Sequence, residues 1–364
     1  MMPGPMGAAT RAEAARLGAI FEGLGAQPVD TAILQPADVL LDLYGEDIRA
    51  RAYVTADPLR GEMMLRPDFT VPVVRAHMEE GGDPARYCYA GEVFRRQETD
   101  PERPIEFLQV GFEHFGGDPA QADAEVFATI AEALAGLDLR PATGDIGILM
   151  AAVRGLRTTE ARKAALSRHV WRPRRFRALL DRYGARVPLP AHKKTLLAMK
   201  DPFEAAGPVV GLRSREEVRA RIATLRAEAE TPPLSEEEVA LIDAILDLRE
   251  TAPNVLSSLR DIAVDMPAIG DAVTGLSRRL DAMAARGVDV GTLPFEGSFG
   301  RTTLEYYDGF VFGFHHATRA DLPPVATGGR YDALTRVLGQ GRAVPAVGGV
   351  VRPELVVRIR EGRA

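Results

Sequence analysis

The chain has 364 residues, of which 46% are hydrophobic and 26% charged, a composition typical of a globular protein with about two domains. Its formal net charge of -6 argues against a broad nucleic-acid-binding surface, which is normally basic. The single cysteine, Cys88, excludes an intrachain disulfide and a cysteine-rich metal site. No stretch is apolar for long enough to be a signal peptide or a membrane span, so we expect a cytoplasmic protein.

Strands are predicted in the first and last parts of the chain, where apolar and polar residues alternate between turn residues. The predicted strands are Ile48–Thr55, Glu62–Arg66, Tyr87–Arg95, Glu106–Phe115, Asp145–Met150, Phe295–Leu304, Tyr306–Phe314 and Ala346–Val351. Helices are predicted from apolar residues at helical spacing and from end signals, at Glu13–Leu24, Pro36–Gly45, Thr70–Glu80 and Asp118–Leu137, with one more from Tyr331. The polar loop Arg96–Pro104 joins two of the strands into one long antiparallel hairpin.

Between Ala152 and Ala285 nearly every segment predicts helix. We therefore predict an α+β fold, an antiparallel sheet flanked by helices, rather than a doubly wound parallel sheet. Residues 1–151 and 286–364 would form the core, and residues 152–285 a helical insertion or second domain. Neither a G-x-G-x-x-G turn nor a Walker loop is present, which excludes those nucleotide sites.

The predicted strand Glu106–Phe115 has two unlike faces. Leu108, Val110, Phe112 and His114 would lie on a mostly apolar face, and Gln109, Gly111 and Glu113 on the other. An amide and a carboxylate on either side of a glycine leave a notch in which the amine of a ligand could bind. A solvated face, with a glycine that only weakens the strand, explains the same spacing.

Arginines at the ends of the hairpin loop are candidates for binding an anion, because a guanidinium can bind two oxygens at once. They are Arg95 and Arg103, although a loop arginine in solvent is the commoner case for Arg103. Gly328 and Gly329 precede Arg330 and allow close approach of the backbone, either toward a ligand or only for a turn. Arg103 and Arg330 are therefore candidate contacts for a phosphate or another effector.

Two tyrosines and a strand-to-helix turn add further polar groups. Tyr306 and Tyr307 begin a predicted strand, so they should point to opposite faces, one into the core and one into a pocket. Asp68 and Thr70 lie at a turn where Thr70 could instead be only a helix cap. His315 and His316 are adjacent on a strand and face apart, so we predict no metal site.

Five segments in this order resemble the catalytic core of histidyl-tRNA synthetase, a class II synthetase fold. They are LRPDFT (Leu65–Thr70), FRRQETDPERPIEFLQVGFEHFG (Phe94–Gly116), EYYDGFVF (Glu305–Phe312), GGRYDAL (Gly328–Leu334) and PAVGGVV (Pro345–Val351). The resemblance covers the first third and the last fifth of the chain. It implies that the positions of Gln109 and Glu113 hold the amino group of free histidine, with help from Thr70.

The same resemblance implies roles for the other candidates. The positions of Asp68 and Tyr307, with Tyr306 beside them, would reach the imidazole, although the family usually has the longer Glu in place of Asp68. Arg95 matches an arginine that holds ATP phosphate and the amino-acid carboxylate. Arg103 matches a loop arginine that serves ATP.

Three departures from the synthetase pattern argue against catalysis. Leu355 stands where the third motif has an ATP-binding arginine, and Thr302 where a catalytic arginine is expected, with Arg301 one position away. Gln97 replaces an acidic residue. Losing a buried charge contact costs ~2–5 kcal/mol, and each ~1.4 kcal/mol is a factor of ten. We therefore expect no catalytic residues and no cofactor, and a chain that binds histidine without activating it.

This combination resembles the family of ATP phosphoribosyltransferase regulatory subunits. The resemblance implies a non-catalytic chain that joins a short-form catalytic subunit for the first step of histidine biosynthesis and mediates feedback inhibition by L-histidine. It also implies a homodimer within a hetero-oligomer. One alternative is a truncated synthetase-like enzyme that activates an amino acid with ATP. An RNA-binding or structural relative is another, against which the net acidity weighs.

Overall fold

The structure is a computed structural model that describes residues 7–37, 52–97, 104–203, 207, 211–301 and 306–362. Residues 38–45 of the predicted helix Pro36–Gly45 and residues 48–51 of the predicted strand Ile48–Thr55 lie outside these ranges. Arg103 and Thr302 also lie outside the described residues. Within the ranges, no helix is both long and apolar enough to cross a membrane.

The described residues form two sheets. The strands in chain order are β1 (Gln27–Pro28), β2 (Leu34–Pro36), β3 (Val54–Asp57), β4 (Gly61–Leu65), β5 (Ala85–Phe94), β6 (Glu106–Phe115), β7 (Leu139–Asp145), β8 (Arg249–Thr251), β9 (Pro294–Glu296), β10 (Phe310–His316), β11 (Ala326–Arg330) and β12 (Ala346–Val351). Nine of them form one sheet in the order β1-β5-β6-β12-β11-β10-β7-β9-β8, and β2-β4-β3 form a small second sheet. Only the pairs β1–β5 and β7–β9 are parallel, so the large sheet is mainly antiparallel.

Helices cover this sheet and make up most of the middle of the chain. In chain order they are α1 (Ala8–Gly23), α2 (Thr70–Glu80), α3 (Pro119–Ala133), α4 (Ile146–Gly155), α5 (Glu160–Arg168), α6 (Pro173–Tyr183), α7 (Ala191–Ala198), α8 (Arg215–Glu230), α9 (Glu236–Asp247), α10 (Ala252–Asp265), α11 (Gly270–Ala285), α12 (Asp332–Leu338) and α13 (Pro353–Arg360). The predicted α+β fold, an antiparallel sheet flanked by helices, is confirmed.

Strand β6 has the predicted bounds and lies between β5 and β12 in the sheet. The predicted hairpin with β5 is also confirmed. Phe112 stacks on Phe21 of α1, with 5.3 Å between the ring centroids. Because side chains alternate along a strand, Gln109 and Glu113 point away from α1.

Several strand boundaries differ from the predictions. The prediction of strand over Asp145–Met150 is wrong, because the Asp145 carboxylate accepts a hydrogen bond from the Gly147 backbone at 2.8 Å and starts helix α4 there. The predicted strand Phe295–Leu304 is also wrong over residues 297–301, which form a turn, and its last three residues lie outside the described ranges. Strand β10 begins at Phe310, four residues later than predicted. The predicted turn at Gly328-Gly329 is instead the interior of β11.

The middle of the chain is helical, as predicted, but it also contributes to the sheet. Strand β8 pairs with β9 at the edge of the large sheet. The division into 1–151 with 286–364 and a separate 152–285 block stays a prediction.

A buried ion network joins α11 to the core. Arg279 of α11 donates to Asp123 of α3 and to Asp145, each at 2.8 Å. Arg330, at the end of β11, pairs with the same Asp123 at 2.6 Å. The Asp123 carboxylate therefore pairs with two guanidinium groups and links helix α3 to helix α11 of the middle segment and to strand β11 of the large sheet.

Candidate ligand-binding site

A cavity of about 590 Å³ opens on the face of the large sheet to which Gln109 and Glu113 point. Residues from the start of α2, from β6 and from the strands β10, β11 and β12 line it. Every candidate histidine-binding residue lies on its wall, namely Asp68, Thr70, Arg95, Gln109, Glu113, Tyr306 and Tyr307. These residues are up to 239 positions apart in the sequence, so only the sheet topology brings them together.

Glu113 is the central group of this wall and is 1% exposed. Its Oε1 accepts hydrogen bonds from the Tyr89 hydroxyl at 2.9 Å and the Thr70 hydroxyl at 3.2 Å. Its Oε2 accepts one from the Tyr331 hydroxyl at 2.5 Å. Three neutral donors therefore orient the carboxylate and leave its charge without a counter-ion.

The electrostatic setting of Glu113 is unfavourable for a free carboxylate. The pKa of Glu113 is raised to about 7, mainly by burial and also by nearby Asp68, and the three hydroxyl donors limit this shift. No ion pair joins Glu113 to another residue in the described part of the chain. A cation that entered the cavity would favour the ionised form, so the site is built to attract a positively charged group.

Gln109 supplies a second acceptor on the same face of β6. Its side chain is 1% exposed, and its Oε1 accepts no hydrogen bond from the described residues. A buried amide oxygen without a donor is costly. Gln109 and Glu113 together therefore present two acceptors to a donor-rich group such as an ammonium.

The predicted notch over Gly111 is not open to a ligand, which corrects the simplest interpretation of the sequence. A Cβ at Gly111 would lie 2.1 Å from Cζ of Tyr89, so the Tyr89 ring occupies this space. On its other side, the Tyr89 ring stacks on Phe69 with 4.3 Å between the centroids. Gly111 thus allows Tyr89 to reach Glu113 and contributes to the site through this tyrosine.

A second glycine approaches Glu113 from β12. Gly348 pairs with Glu113 in the register of β6 and β12. A Cβ at Gly348 would lie 1.4 Å from Oε2 of Glu113, so the carboxylate lies directly over this glycine. Gly111 of β6 therefore leaves room for the Tyr89 donor, and Gly348 of β12 leaves room for the buried carboxylate.

The prediction that Tyr306 and Tyr307 point to opposite faces of a strand is wrong, because both residues precede β10 and do not lie on a strand. Both line the cavity, and their ring centroids are 4.8 Å apart at a steep angle. The Tyr306 hydroxyl donates to Thr70 Oγ1 at 3.4 Å. Strand alternation fails as a guide here because the backbone is irregular.

The candidate arginines lie in different places. Arg95 lines the cavity, and its Nε donates to the backbone carbonyl of Pro67 at 2.9 Å. Arg330 does not line the cavity, since its guanidinium donates to Asp123, to Asp332 at 3.0 Å and to the Pro119 carbonyl at 2.9 Å. Arg330 is therefore part of a buried ion pair in this structure, and its contact with an effector stays a prediction.

Three side chains of the site were not singled out from the sequence. Tyr331 and Arg352 line the cavity, and Tyr89 lies behind its wall and donates to Glu113. Tyr89 faces Gly111 across the hairpin, and a large ring opposite a glycine was the available signal. Tyr331 lies in the GGRYDAL segment, in which only Arg330 was predicted to contact a ligand. Arg352 donates to the Pro324 carbonyl and lies with Cζ 5.8 Å from the Phe107 ring centroid.

No group of three or more His, Cys, Asp or Glu side chains in the described ranges has the geometry to hold a metal ion. His315 lines the far part of the cavity and packs edge-on against Phe299, with 6.2 Å between the centroids. The cavity therefore offers carboxylates, an amide, phenols and arginines as binding groups.

Comparison with known proteins agrees with this architecture. The histidyl-tRNA synthetase family model matches residues 4–201 and 214–356. An ATP phosphoribosyltransferase regulatory subunit of Mesorhizobium japonicum is 32% identical over 374 residues, covering 96% of this chain and 97% of that protein. One from Agrobacterium fabrum is 33% identical over 341 residues, covering 88% and 89% of the two chains. The chain belongs to the ATP phosphoribosyltransferase regulatory subunit family, within the histidyl-tRNA synthetase family.

Solved structures show the same fold. A Bacillus halodurans protein described as an ATP phosphoribosyltransferase regulatory subunit/histidyl-tRNA synthetase aligns with a TM-score of 0.69 at 20% identity, over 98% of this chain and 81% of that chain. A histidine–tRNA ligase subunit of Alicyclobacillus acidocaldarius aligns with a TM-score of 0.61 at 22% identity, over 100% and 98% of the chains. At these identities the alignments establish the fold of the regulatory subunit family for this chain.

Leu355, and Arg301 next to the departing position 302, have structural roles in this family member. Leu355 is 7% exposed and belongs to the hydrophobic core, away from the cavity wall. Arg301 is buried with its guanidinium 4.8 Å from the Phe176 ring centroid, and it does not line the cavity. Neither residue is placed to contact a ligand in the cavity.

Proposed function

We propose that this chain is the non-catalytic regulatory subunit of ATP phosphoribosyltransferase, that it binds free L-histidine in the cavity, and that it thereby mediates feedback inhibition of its catalytic partner. The observation that carries the proposal is the buried Glu113 carboxylate, which three hydroxyl groups orient and no cation neutralises in the described residues. An ammonium group is the complement of such a site. The family membership supports the regulatory role.

The α-amino group of histidine binds between Glu113 and Gln109 in this proposal. Both supply buried acceptor oxygens, and the Gln109 oxygen has no donor among the described residues. A charge-assisted hydrogen bond to a desolvated carboxylate is stronger than one between neutral groups. The Glu113 carboxylate then recovers the electrostatic stabilisation that burial removes.

Arg95 binds the carboxylate of histidine, and Asp68 with Tyr307 binds the imidazole. All three side chains line the same cavity as Glu113. The Arg95 Nε is already held by the Pro67 carbonyl, which leaves the terminal nitrogens for a bidentate contact. Tyr306 and Thr70 complete the polar wall through their own hydrogen bond.

Regulation requires that histidine bind one state of the complex better than another. We propose that the partner is the short-form catalytic subunit and that two copies of this chain pair within the hetero-oligomer. The small sheet β2-β4-β3 supports such pairing, because it exposes Leu34 (46%), Val54 (36%) and, at its turn, Leu59 (90%).

The direct test is phosphoribosyl transfer to ATP by the short catalytic subunit, with and without this chain and L-histidine. Activity that rises when the chain is added and falls with L-histidine supports the proposal. ATP–pyrophosphate exchange that depends on histidine and on this chain alone would instead support the synthetase-like alternative. No effect of the chain on transfer would overturn the regulatory role.

The site assignment is tested by calorimetry with ligands that lack one group each. L-Histidinol lacks the carboxylate, and imidazolepropionate lacks the amine. We expect Arg95→Gln to weaken L-histidine binding roughly 10- to 100-fold, the contribution of a hydrogen bond to a charged group, and to leave L-histidinol binding nearly unchanged.

Glu113→Gln should abolish binding of L-histidine, which removes the melting shift that saturating ligand gives to the wild type. A ligand at ~100 times its Kd adds ~2.7 kcal/mol of stability. Glu238→Gln is the matched control, because Glu238 is also buried but caps helix α9 far from the cavity. A melting shift that survives in Glu113→Gln would contradict the assignment.

A further inference from the structure

A corner of the helical segment is fastened to the wall of the cavity. Trp171, the only tryptophan of the chain, lies between α5 and α6 and is half-buried. Its indole Nε1 donates to the backbone carbonyl of Tyr307 at 3.0 Å. Tyr307 is 6% exposed, and its side chain lines the cavity. One hydrogen bond therefore joins a residue of the binding site to the start of α6.

A second contact holds the same corner. The Nε of Arg301 donates to the Val170 carbonyl at 2.8 Å, and its guanidinium lies over Phe176 of α6. Arg301 follows Gly300, which lines the cavity with a φ of +85° and no space for a side chain next to Val311. Trp171 is thus hydrogen-bonded to a residue of the cavity wall, and Val170 to the residue that follows Gly300 of that wall.

Helix α6 is in turn rigidly joined to the rest of the helical segment. Arg177 of α6 pairs with Asp243 of α9 at 2.5 Å, and Arg182 pairs with Glu228 of α8 at 2.9 Å. The Tyr183 carbonyl accepts from the Leu234 backbone at 2.9 Å. These contacts connect helix α6 to α8 and α9.

From these contacts we propose that Trp171 is a positioning residue that transmits ligand occupancy of the cavity to helices α6, α8 and α9. The inference rests on the proposed function, because it takes L-histidine as the ligand that contacts Tyr307. A ligand that fixes the Tyr307 ring also fixes its backbone carbonyl, and with it the orientation of the indole and the corner behind it. The unliganded chain lacks this constraint, so the two states differ in how firmly α6 is held.

Trp171 fluorescence gives the first test on the wild-type chain, without a variant. Saturating L-histidine should change its emission, because the indole donates to a residue of the site. The same addition to Glu113→Gln should leave the emission unchanged. A wild-type chain that binds L-histidine by calorimetry with no change in emission would overturn the inference.

Hydrogen–deuterium exchange provides the decisive test. In the wild type, L-histidine should slow exchange at least threefold in peptides covering 173–183. Trp171→Phe keeps an aromatic ring but removes the donor, and we expect its L-histidine Kd within threefold of the wild type with the protection of 173–183 lost. Tyr183→Phe is the control, because it removes a hydroxyl at the far end of the same helix and should keep the protection.

The outcomes separate this inference from the proposed function. Absence of L-histidine binding to the wild type would overturn both. Binding that protects only the peptides of β6 and α2, or equal protection of 173–183 in the wild type and in Trp171→Phe, would overturn the inference alone. If Trp171→Phe fails to fold, the fluorescence and exchange of the wild type still decide it.

Discussion

At the scale of single residues, Glu113 determines what the cavity can bind. It is a fully buried carboxylate with three hydroxyl donors, and burial raises its pKa to about 7 from an ordinary value of 4.5. A group whose folded-state pKa is raised stabilises the fold fully below its unfolded pKa and loses that contribution as the pH rises through its folded pKa. The unliganded chain should therefore lose stability between pH 4.5 and about 7.

The raised pKa of Glu113 also predicts how ligand binding depends on pH. An ammonium ligand binds the ionised carboxylate, so L-histidine binding to the chain releases a proton when the pH is below about 7. We expect the Kd to rise about tenfold for each pH unit below 7 and to level off just above 7, where Glu113 is ionised and the α-amino group of L-histidine is still protonated. Calorimetry in buffers with different ionisation enthalpies measures the proton release directly.

A matched variant separates Glu113 from other titrating groups. Glu113→Gln carries no ionisable group there, so its melting temperature should exceed that of the wild type more at pH 8 than at pH 5. A difference between the two chains that is independent of pH would contradict the raised pKa of Glu113.

At the scale of elements, the site depends on close contacts between three neighbouring strands. Tyr89 on β5 lies over Gly111 of β6, and Glu113 of β6 lies over Gly348 of β12. Each glycine leaves the space that the neighbouring side chain fills. A strand interior normally disfavours glycine. The two glycines therefore lower the strand propensity of β6 and β12 but leave the space that the Tyr89 ring and the Glu113 carboxylate occupy.

We therefore predict that Gly348→Ala weakens L-histidine binding. Its Cβ would lie 1.4 Å from the Glu113 carboxylate, which must move away from its three donors. Displacing a charge contact of this kind costs ~2–5 kcal/mol, so calorimetry should show L-histidine affinity at least ~30-fold lower. Gly18→Ala in α1, where no atom lies within 4 Å of the new Cβ, should leave the affinity unchanged. Unaltered affinity in Gly348→Ala would contradict the position of the carboxylate.

At the scale of the whole molecule, the middle segment is attached to the core in two different ways. The corner at Trp171 meets the cavity wall through hydrogen bonds to backbone carbonyls. Helix α11 is attached by the buried pair of Arg279 with Asp123, and β8 extends the large sheet. The end of the segment is thus part of the core packing, and the corner is its contact with the site.

The buried attachment should be essential for folding. Asp123 is 1% exposed and pairs with both Arg279 and Arg330, so Asp123→Ala leaves two buried guanidinium groups without this partner. Removing one partner of a buried ion pair typically costs ~3–5 kcal/mol. Urea unfolding should show this loss, whereas Asp321→Ala, which breaks an exposed pair with Arg319, should change stability little. A small effect of Asp123→Ala would show that the network contributes little to folding.

The sequence by itself determined the kind of fold and most of the side chains that line the cavity. Alternation along Glu106–Phe115 separated the core face from the face with Gln109 and Glu113, because the side-chain period of a strand is fixed at two. The ordered motifs identified the family. Both depend only on local chemistry and order, which a sequence contains in full.

Only the tertiary structure decided which groups meet. Tyr331 reaches Glu113, 218 positions away, because the sheet order brings the end of β11 close to β6. Tyr89 reaches it because the register of the β5–β6 hairpin sets its ring over Gly111. Arg330, a candidate effector contact in the sequence, is ion-paired because Asp123, 207 positions away, lies beside it. Tyr306 and Tyr307 share one cavity because the chain there is irregular. Contacts of this kind depend on the register and packing of distant segments, which local spacing does not specify.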